Sequence, residues 1–299
     1  MGNEFVTVVG GGPAGIAAAV QLQRSGLNPL LVEKEALGGL LRNAFRVENY
    51  PGFPGGIGGP SLVRRLEKQA ERIGLRVIFD EVLRLDVVRG RFVLKTRRRL
   101  LQSGIVVVAT GTKAKPPAGL EIAPEARRRV VGEIVPIGNV SGRDIAVIGA
   151  GDAAMDYALN LAGANRVIVF DRGNSPRCLP LLLDRVLARP RIRYVPKTRI
   201  ERVWPAGPRA ICLEGRGPSG TFLLKVDYLV TAVGREPSRD FLTERLDRAS
   251  RLGKLRGRLH FVGDVKNGLF RQASIAVGDG VRAAMKIAAE SKTGQLAWP

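Results

Sequence analysis

An α/β fold built from two similar halves is predicted by three features of the 299-residue sequence. Short β-branched apolar runs alternate with helix-forming stretches, the pattern of parallel strands joined by helices. Two of these strands end on glycine loops, Gly10-Gly11-Gly12-Pro13-Ala14-Gly15 and Gly149-Ala150-Gly151-Asp152-Ala153-Ala154. Roughly 20 residues beyond each loop an acid ends the next strand, Glu33 in one case and Asp171 in the other. A single glycine loop is a weak signal; two in the same context indicate two dinucleotide sites. The predicted fold is therefore α/β with two Rossmann-like dinucleotide-binding domains, each a three-layer FAD/NAD(P)-binding fold, the second inserted into the first.

The elements follow in order. Phe5-Val6-Thr7-Val8-Val9 reads as a buried strand, Ala14 to Gln23 as a helix closed by Gly26, and Leu30-Leu31-Val32-Glu33 as the next strand. In such a βαβ unit the glycines admit a pyrophosphate to the backbone, and the helix N-terminus offers it free N–H groups. Glu33 can accept hydrogen bonds from ribose hydroxyls. Residues 38–60 are rich in glycine, proline and aromatics, which fits a folded loop against a ligand better than a linker. Ser61 is expected to cap the helix that follows. Strand-like pieces from Val77 to Thr96 turn at Arg89-Gly90, and Ile105 to Gly111 is a buried strand ending in a tight turn. Pro116-Pro117 stiffens a connector, where a domain boundary is placed. Residues 145–171 repeat the opening strand–loop–helix–strand, and a second hairpin region spans about 192–226. Tyr228 to Gly234 echoes the earlier Val-Val-Ala-Thr-Gly strand, and a long helix runs from about Gln272 to Glu290. The opening βαβ core lacks a closing strand and helix, so this tail is expected to complete it. The first domain is then 1–115 and 237–299, and the second 116–236.

Composition narrows the class. Hydrophobic content of 45%, charged content of 25% and 37 glycines describe a globular α/β protein. No apolar run approaches the roughly 18–20 residues of a membrane helix, and Met1-Gly2-Asn3-Glu4 opens no signal peptide, so cytoplasmic residence is expected. The net charge of +21 is mostly arginine, spread along the chain without an aromatic-interleaved stripe. Compositional bias explains it best, an acidic protein partner next, and nucleic acid least. The two cysteines, Cys178 and Cys212, fit neither a zinc site nor a sequence-close redox pair, and no metal site is expected. Lone His260, in a strand before Gly263-Asp264, reads as structural rather than as a base.

These motifs in this order resemble the low-molecular-weight thioredoxin reductases of the flavoprotein pyridine nucleotide–disulfide oxidoreductase superfamily. The resemblance rests on the glycines at 10–15, Val47-Glu48-Asn49-Tyr50-Pro51-Gly52, Ala109-Thr110-Gly111, Gly149-x-Gly151-Asp152-x-Ala154, Gly263-Asp264 and Arg271-Gln272-Ala273. It implies that Gly10, Gly12, Pro13, Ala14 and Gly15 hold the FAD pyrophosphate and Glu33, with Lys34 beside it, the adenosine ribose. It implies further that Gly39, Leu40, Leu41 and Asn49 line the isoalloxazine and that Val82 meets the adenine. Thr110 and Gly111 would close over the cofactor, Gly263 and Asp264 would hold the ribityl chain, and Arg271, Gln272 and Ala273 would meet the flavin edge. In the second half Gly149, Gly151, Asp152, Ala153, Ala154, Asp171, Arg172, Arg177 and Gly234 would hold the nicotinamide nucleotide.

Two departures shape the expected chemistry. The family's Cys-Ala-Thr-Cys falls on Gly132-Glu133-Ile134-Val135, so neither redox cysteine is present. Disulfide exchange needs an attacking thiolate beside the flavin. The family's His-Arg-Arg-x-x-x-Arg also loses its first arginine to Asp171, while Arg172 stays and Arg177 lies one position beyond the third. The sequence thus predicts an NAD(P)H-dependent flavoprotein oxidoreductase, FAD-bound, preferring NADH, with no catalytic side chain assigned. Its acceptor is expected to be a small molecule or an acidic carrier such as a ferredoxin, and its assembly a homodimer. The alternatives are a thioredoxin-disulfide reductase in family name only, and a non-enzymatic flavin-binding redox sensor.

Overall fold

The computed structural model describes residues 2–253, 255 and 257–293, with side chains from Phe5 onward. Residues 1 and 294–299, assigned above to the first domain, lie outside the described residues.

The chain opens with β1 (Gly2–Val9), α1 (Pro13–Arg24), β2 (Leu30–Glu33), a 3-10 turn at Gly39–Asn43 and α2 (Gly59–Arg72). Strands β3 (Arg76–Phe79), β4 (Val82–Val88), β5 (Arg91–Thr96) and β6 (Leu100–Val108) follow. A connecting β7 (Thr112–Ala114) leads to β8 (Glu121–Ile122), β9 (Val130–Val131), β10 (Asp144–Ile148), α3 (Asp152–Leu161) and β11 (Arg166–Phe170). Then come α4 (Pro180–Leu187), β12 (Ile192–Val195), the meander β13 (Arg199–Pro205), β14 (Ile211–Gly217) and β15 (Gly220–Val226), and β16 (Tyr228–Thr231). The return passes through β17 (Arg235–Pro237), α5 (Glu244–Arg251), β18 (Leu259–Phe261) and α6 (Ala273–Lys292).

In the first sheet β3, β2, β1 and β6 run parallel in that order, and the β4–β5 hairpin joins the first half of β6 antiparallel. The second half of β6 pairs parallel with β18, Leu259 facing Val106. The period of two along these strands sorts their side chains between two layers. Val6, Val8, Leu31, Ile105 and Val107 pack with α1 and α6, whereas Val9, Leu30, Val32, Val106 and Val108 pack with residues of the hairpin and α5. The second unit repeats the plan, with β12, β11, β10, β16 and β9 all parallel. Ile145, Val147, Val167 and Val169 face α3 and α4, and Ala146, Phe170 and Leu229 face the β13–β14–β15 sheet. Buried on both faces, such strands must be nearly all apolar, which is why they stood out in the sequence.

Two expectations shift. The α2 helix begins at Gly59 with Gly58 as its cap, so Ser61 lies in the first turn and its hydroxyl accepts from Arg64 instead. Pro60, with its fixed φ in the first turn, lets the helix start three residues early. The chain also divides at somewhat different places: Met1–Arg42, Val47–Lys113 and Glu236–Pro299 form one unit, and Asn43–Arg46 with Ala114–Arg235 the other. The 43–46 excursion has a physical cause. Asn43 accepts from the N–H groups of Ile134 and Val135, donates to Glu133, and its carbonyl accepts from Asn160. Asp156 accepts the Phe45 N–H at 2.9 Å.

Two predictions follow from this packing. A Cβ on Gly280 would lie 2.2 Å from the Ala14 carbonyl oxygen, so α1 and α6 touch backbone to backbone, while Gly278 faces open space. Gly280→Ala is expected to cost about 2 kcal/mol or more by forcing the helices apart. Gly278→Ala should instead stabilise by roughly 0.5–1 kcal/mol, which denaturant melts will distinguish. The second concerns Asp156, whose carboxyl burial pushes up to about 6 against hydrogen bonds from Phe45 and Arg46. Between its unfolded value near 3.8 and that pKa the folded chain holds more protons, so this group's contribution to stability falls as pH rises and then levels off. Asp156→Asn should flatten the stability curve across that window by about 1–2 kcal/mol; parallel curves for the two proteins would contradict the assignment.

Candidate functional site

Each glycine loop is forced by its neighbours. Gly10 leaves β1 at φ +104°, its N–H donating to Val32, and a Cβ there would lie 2.5 Å from the Ala109 carbonyl oxygen. Gly149 leaves β10 at φ +117°, its N–H donating to Phe170, and a Cβ would lie 2.3 Å from the Ala232 carbonyl oxygen. Gly12 and Gly151 cap α1 and α3 in extended conformation, without a side-chain cap and with open space where a Cβ would be. The N–H groups of both first turns are thus left for an anion. The loops differ in one respect. A Cβ on Gly15 would lie 1.8 Å from the Gly10 carbonyl oxygen, whereas the matching position of the second loop accommodates Ala154.

Around the first loop the structure gathers most of the residues singled out above. Pro13 opens α1, and buried Ala14 lies 2.8 Å from where a Gly263 Cβ would stand, so the Gly263–Val265 turn with half-buried Asp264 adjoins that helix. Gly39 backs onto Gly12, its Cβ position 3.2 Å from the Gly12 Cα, and carries half-buried Leu40 and Leu41 in the same turn. Asn49 donates to Gln272 at 2.8 Å, and the Asn49 carbonyl accepts from Ser274, bringing this loop to Arg271, Gln272 and Ala273 at the start of α6. The Arg271 Nε is buried without a hydrogen-bond partner among the described residues. Thr110 donates its hydroxyl to the Ser238 carbonyl, and Gly111, at φ +61°, has open space at its Cβ position. Val82 begins β4 two residues after Asp80, whose N–H donates to the Glu33 carbonyl. Lys34 is exposed and pairs with Glu35.

The two acids are buried and held by paired donors. Glu33 accepts the Gly11 N–H on one oxygen at 2.6 Å and the Glu35 N–H on the other at 3.0 Å. Asp171 accepts the Gly173 N–H at 2.8 Å and the Tyr194 hydroxyl at 2.8 Å. The segment after Asp171 returns over the second loop, with the Arg177 N–H donating to Ala150 and the Leu179 N–H to Asp152. Arg172 and Arg177 are both exposed, and Ala153 faces solvent. Gly234 takes φ +122° and accepts the Lys115 N–H.

Sequence reasoning missed three residues that build these sites. Asp279 sits buried in α6, accepting from the Gly263 N–H and from Asn267, with Lys266 3.0 Å away. Burial opposes its charge, but the Asn267 and Lys266 hydrogen bonds hold its carboxyl below the usual range. An acid between Gly278 and Gly280, the only acid in the first half of α6, was the available signal. Asp80 accepts from Thr96 and its N–H fixes the end of β2. Tyr194 fell within the stretch from about 192 read as a hairpin region, whereas β12 pairs parallel with β11 and only β13 to β15 form the antiparallel meander.

The cysteines are free and half-buried. Burial, then the charge of Asp152, pushes the Cys178 thiol up, away from thiolate. Cys212 lies on β14, opposite Trp204 and Lys225. In the Gly132-Glu133-Ile134-Val135 stretch, Glu133 pairs with Arg235 at 2.6 Å and accepts from Asn43 and Tyr157, and Ile134 is buried. His260 bonds to the Gly257 carbonyl, and burial lowers its pKa. Among the described residues no cluster of His, Cys, Asp or Glu could hold a metal, and no helix is long and apolar enough to cross a membrane.

Comparison with known proteins agrees with this architecture. A family model described as pyridine nucleotide-disulphide oxidoreductase matches residues 5–280. The chain is 30% identical to a thioredoxin reductase of Rickettsia prowazekii over 302 residues, covering 95% of this chain and 96% of the relative. It is 32% identical to a thioredoxin reductase of Streptomyces coelicolor, covering 94% and 91%. The crystal structure of Lactococcus lactis thioredoxin reductase superposes with a TM-score of 0.82 at 25% identity, covering 96% of this chain and 99% of that one. With two glycine-loop halves in one chain and a family match spanning both, the protein belongs to the pyridine nucleotide-disulphide oxidoreductase family and has a thioredoxin reductase-like fold.

Proposed function

We propose that the protein is an FAD-dependent NAD(P)H oxidoreductase that delivers electrons from the nicotinamide nucleotide, through the flavin, to an acceptor other than a disulfide. The observation that carries this reading is the stretch Gly132-Glu133-Ile134-Val135, in which Gly132 and Val135 fall on the family's two cysteine positions when counted back without gaps from Gly149. Glu133 there is committed to an ion pair with Arg235 and to hydrogen bonds with Asn43 and Tyr157, and no thiol is near in sequence. Disulfide exchange requires an attacking thiolate beside the flavin, and both cysteines, Cys178 and Cys212, lie far along the chain from that stretch.

FAD fits the first unit on three observations. Gly12 and Gly111 are open where side chains would stand, the α1 N-terminus is uncapped, and Arg271 Nε is buried and unpartnered among the described residues. Gly10, Gly12, Pro13, Ala14 and Gly15 would take its pyrophosphate, Glu33 its adenosine ribose, and Arg271 to Ala273 with the α6 N-terminus the flavin edge, where a helix dipole favours negative charge. When bound, FAD supplies a two-electron relay. The chain's contribution is to place nucleotide and flavin, and positioning is most of the catalysis in such a transfer. In the second unit, the uncapped α3 N-terminus and Asp171 would hold the nicotinamide nucleotide.

Two acceptor classes fit, a small molecule such as a quinone and an acidic carrier such as a ferredoxin. The net charge of +21 favours the second by steering. A cytoplasmic homodimer completes the reading. The names of the relatives point instead to thioredoxin reduction, and one assay separates the two. The FAD-loaded protein should reduce dyes or quinones with a nicotinamide nucleotide and leave thioredoxin and model disulfides unreduced. Saturable disulfide reduction lost in Cys178→Ser or Cys212→Ser would overturn the proposal.

Nucleotide choice follows from Asp171. A carboxylate there hydrogen-bonds ribose hydroxyls and repels a 2′-phosphate, while Arg172 and Arg177 pull toward the phosphate. The expected outcome is NADH preferred by about tenfold in kcat/KM, or about 1.4 kcal/mol. Equal or NADPH-favoured values, unchanged in Asp171→Ala, would refute it.

A further inference from the structure

We infer that Tyr194 is a positioning residue for nucleotide choice: through its hydroxyl it turns the Asp171 carboxylate into a two-point acceptor for the adenosine ribose diol. The inference rests on the reading of the second unit as the nicotinamide nucleotide site.

The internal repeat supplies the argument. In the first half Glu33 has one oxygen on the N–H of the residue two positions ahead, Glu35, and the other on the N–H of the loop residue Gly11. In the second half Asp171 has one oxygen on the N–H two positions ahead, Gly173, and the other on the Tyr194 hydroxyl. Aspartate is one methylene shorter than glutamate, and a side chain from the neighbouring strand takes the place of the loop N–H. The backbone holds both partners in register. Tyr194 pairs with Val169 across β11 and β12, the Asp171 N–H donates to Val195, and the Asp171 carbonyl accepts from Thr198.

Counting acceptor sites shows what this geometry selects. An ionised carboxylate offers about four lone-pair sites, two on each oxygen. Gly173 and Tyr194 use one on each oxygen, which leaves one free on each. A ribose with both hydroxyls presents two O–H donors side by side and matches that pair. A 2′-phosphorylated ribose presents one donor and a like charge. Tyr194 serves only while it carries its proton, and burial, then its bond to Asp171, push its hydroxyl pKa up. Without that hydroxyl, the carboxylate can rotate about its last bond and lose the two-point match.

The test uses FAD-loaded protein and two probes, ADP-ribose and its 2′-phosphorylated form, with binding measured by titration calorimetry. Tyr194→Phe is expected to weaken ADP-ribose by about tenfold and to leave the phosphorylated probe unchanged or tighter. Asp171→Asn should weaken ADP-ribose at least as much, and the double variant no further, because Tyr194 acts through Asp171. In turnover, Tyr194→Phe should raise KM for NADH with kcat unchanged. Additive losses in the double variant, or equal losses for both probes, would overturn the inference. Loss of ADP-ribose binding in Asp171→Asn but not in Tyr194→Phe would overturn it while sparing the underlying reading. Failure of the unsubstituted protein to bind either probe would remove both.

Discussion

Everything in this fold depends on a strand that must turn under its neighbour's last carbonyl. At Gly10 and again at Gly149, a side chain would collide with the backbone of the adjoining strand. Only a residue without a Cβ, in the left-handed region, lets the chain pass. Once it passes, the next residues start a helix whose N–H groups point back over the strand ends. The acid ending the following strand is carried to the same edge of the sheet by parallel pairing. Strand, loop, helix and acid are thus one physical unit, built twice.

The two copies have diverged in ways that bear on chemistry. The first is tighter, with Gly15 against the Gly10 carbonyl, and its acid is fixed largely by backbone. The second admits Ala154 and fixes its acid with a tyrosine. A backbone-fixed site tolerates little change in what it holds, while a site fixed by a side chain can be retuned by single substitutions. In the second unit a polar cluster forms around Glu133. Its ion pair and hydrogen bonds fasten residues 43–46.

Much of this was legible in the sequence because it depends on short-range constraints. Glycine loops, β-branched strands and strand-end acids are local signals, and the α3 helix at Asp152–Leu161 lies where its composition placed it. The start of α2 was misread because Ser61 competes with Gly58 and Pro60 only through backbone geometry. Tyr194, Asp80 and Asp279 were missed because their partners are distant in sequence or are backbone N–H groups. The docking of residues 43–46 was missed for the same reason, since Phe45 and Asp156 lie far apart along the chain. A buried polar network has no periodicity to betray it.

If electrons pass as proposed, the flavin is the sole two-electron store between donor and acceptor, and counting electrons decides the matter. Anaerobic titration of the FAD-loaded protein with the preferred nicotinamide nucleotide should bleach the flavin completely at about one equivalent per FAD, each nucleotide delivering two electrons. A requirement for about two equivalents would reveal a second two-electron centre in the protein, such as a disulfide, and would contradict the account.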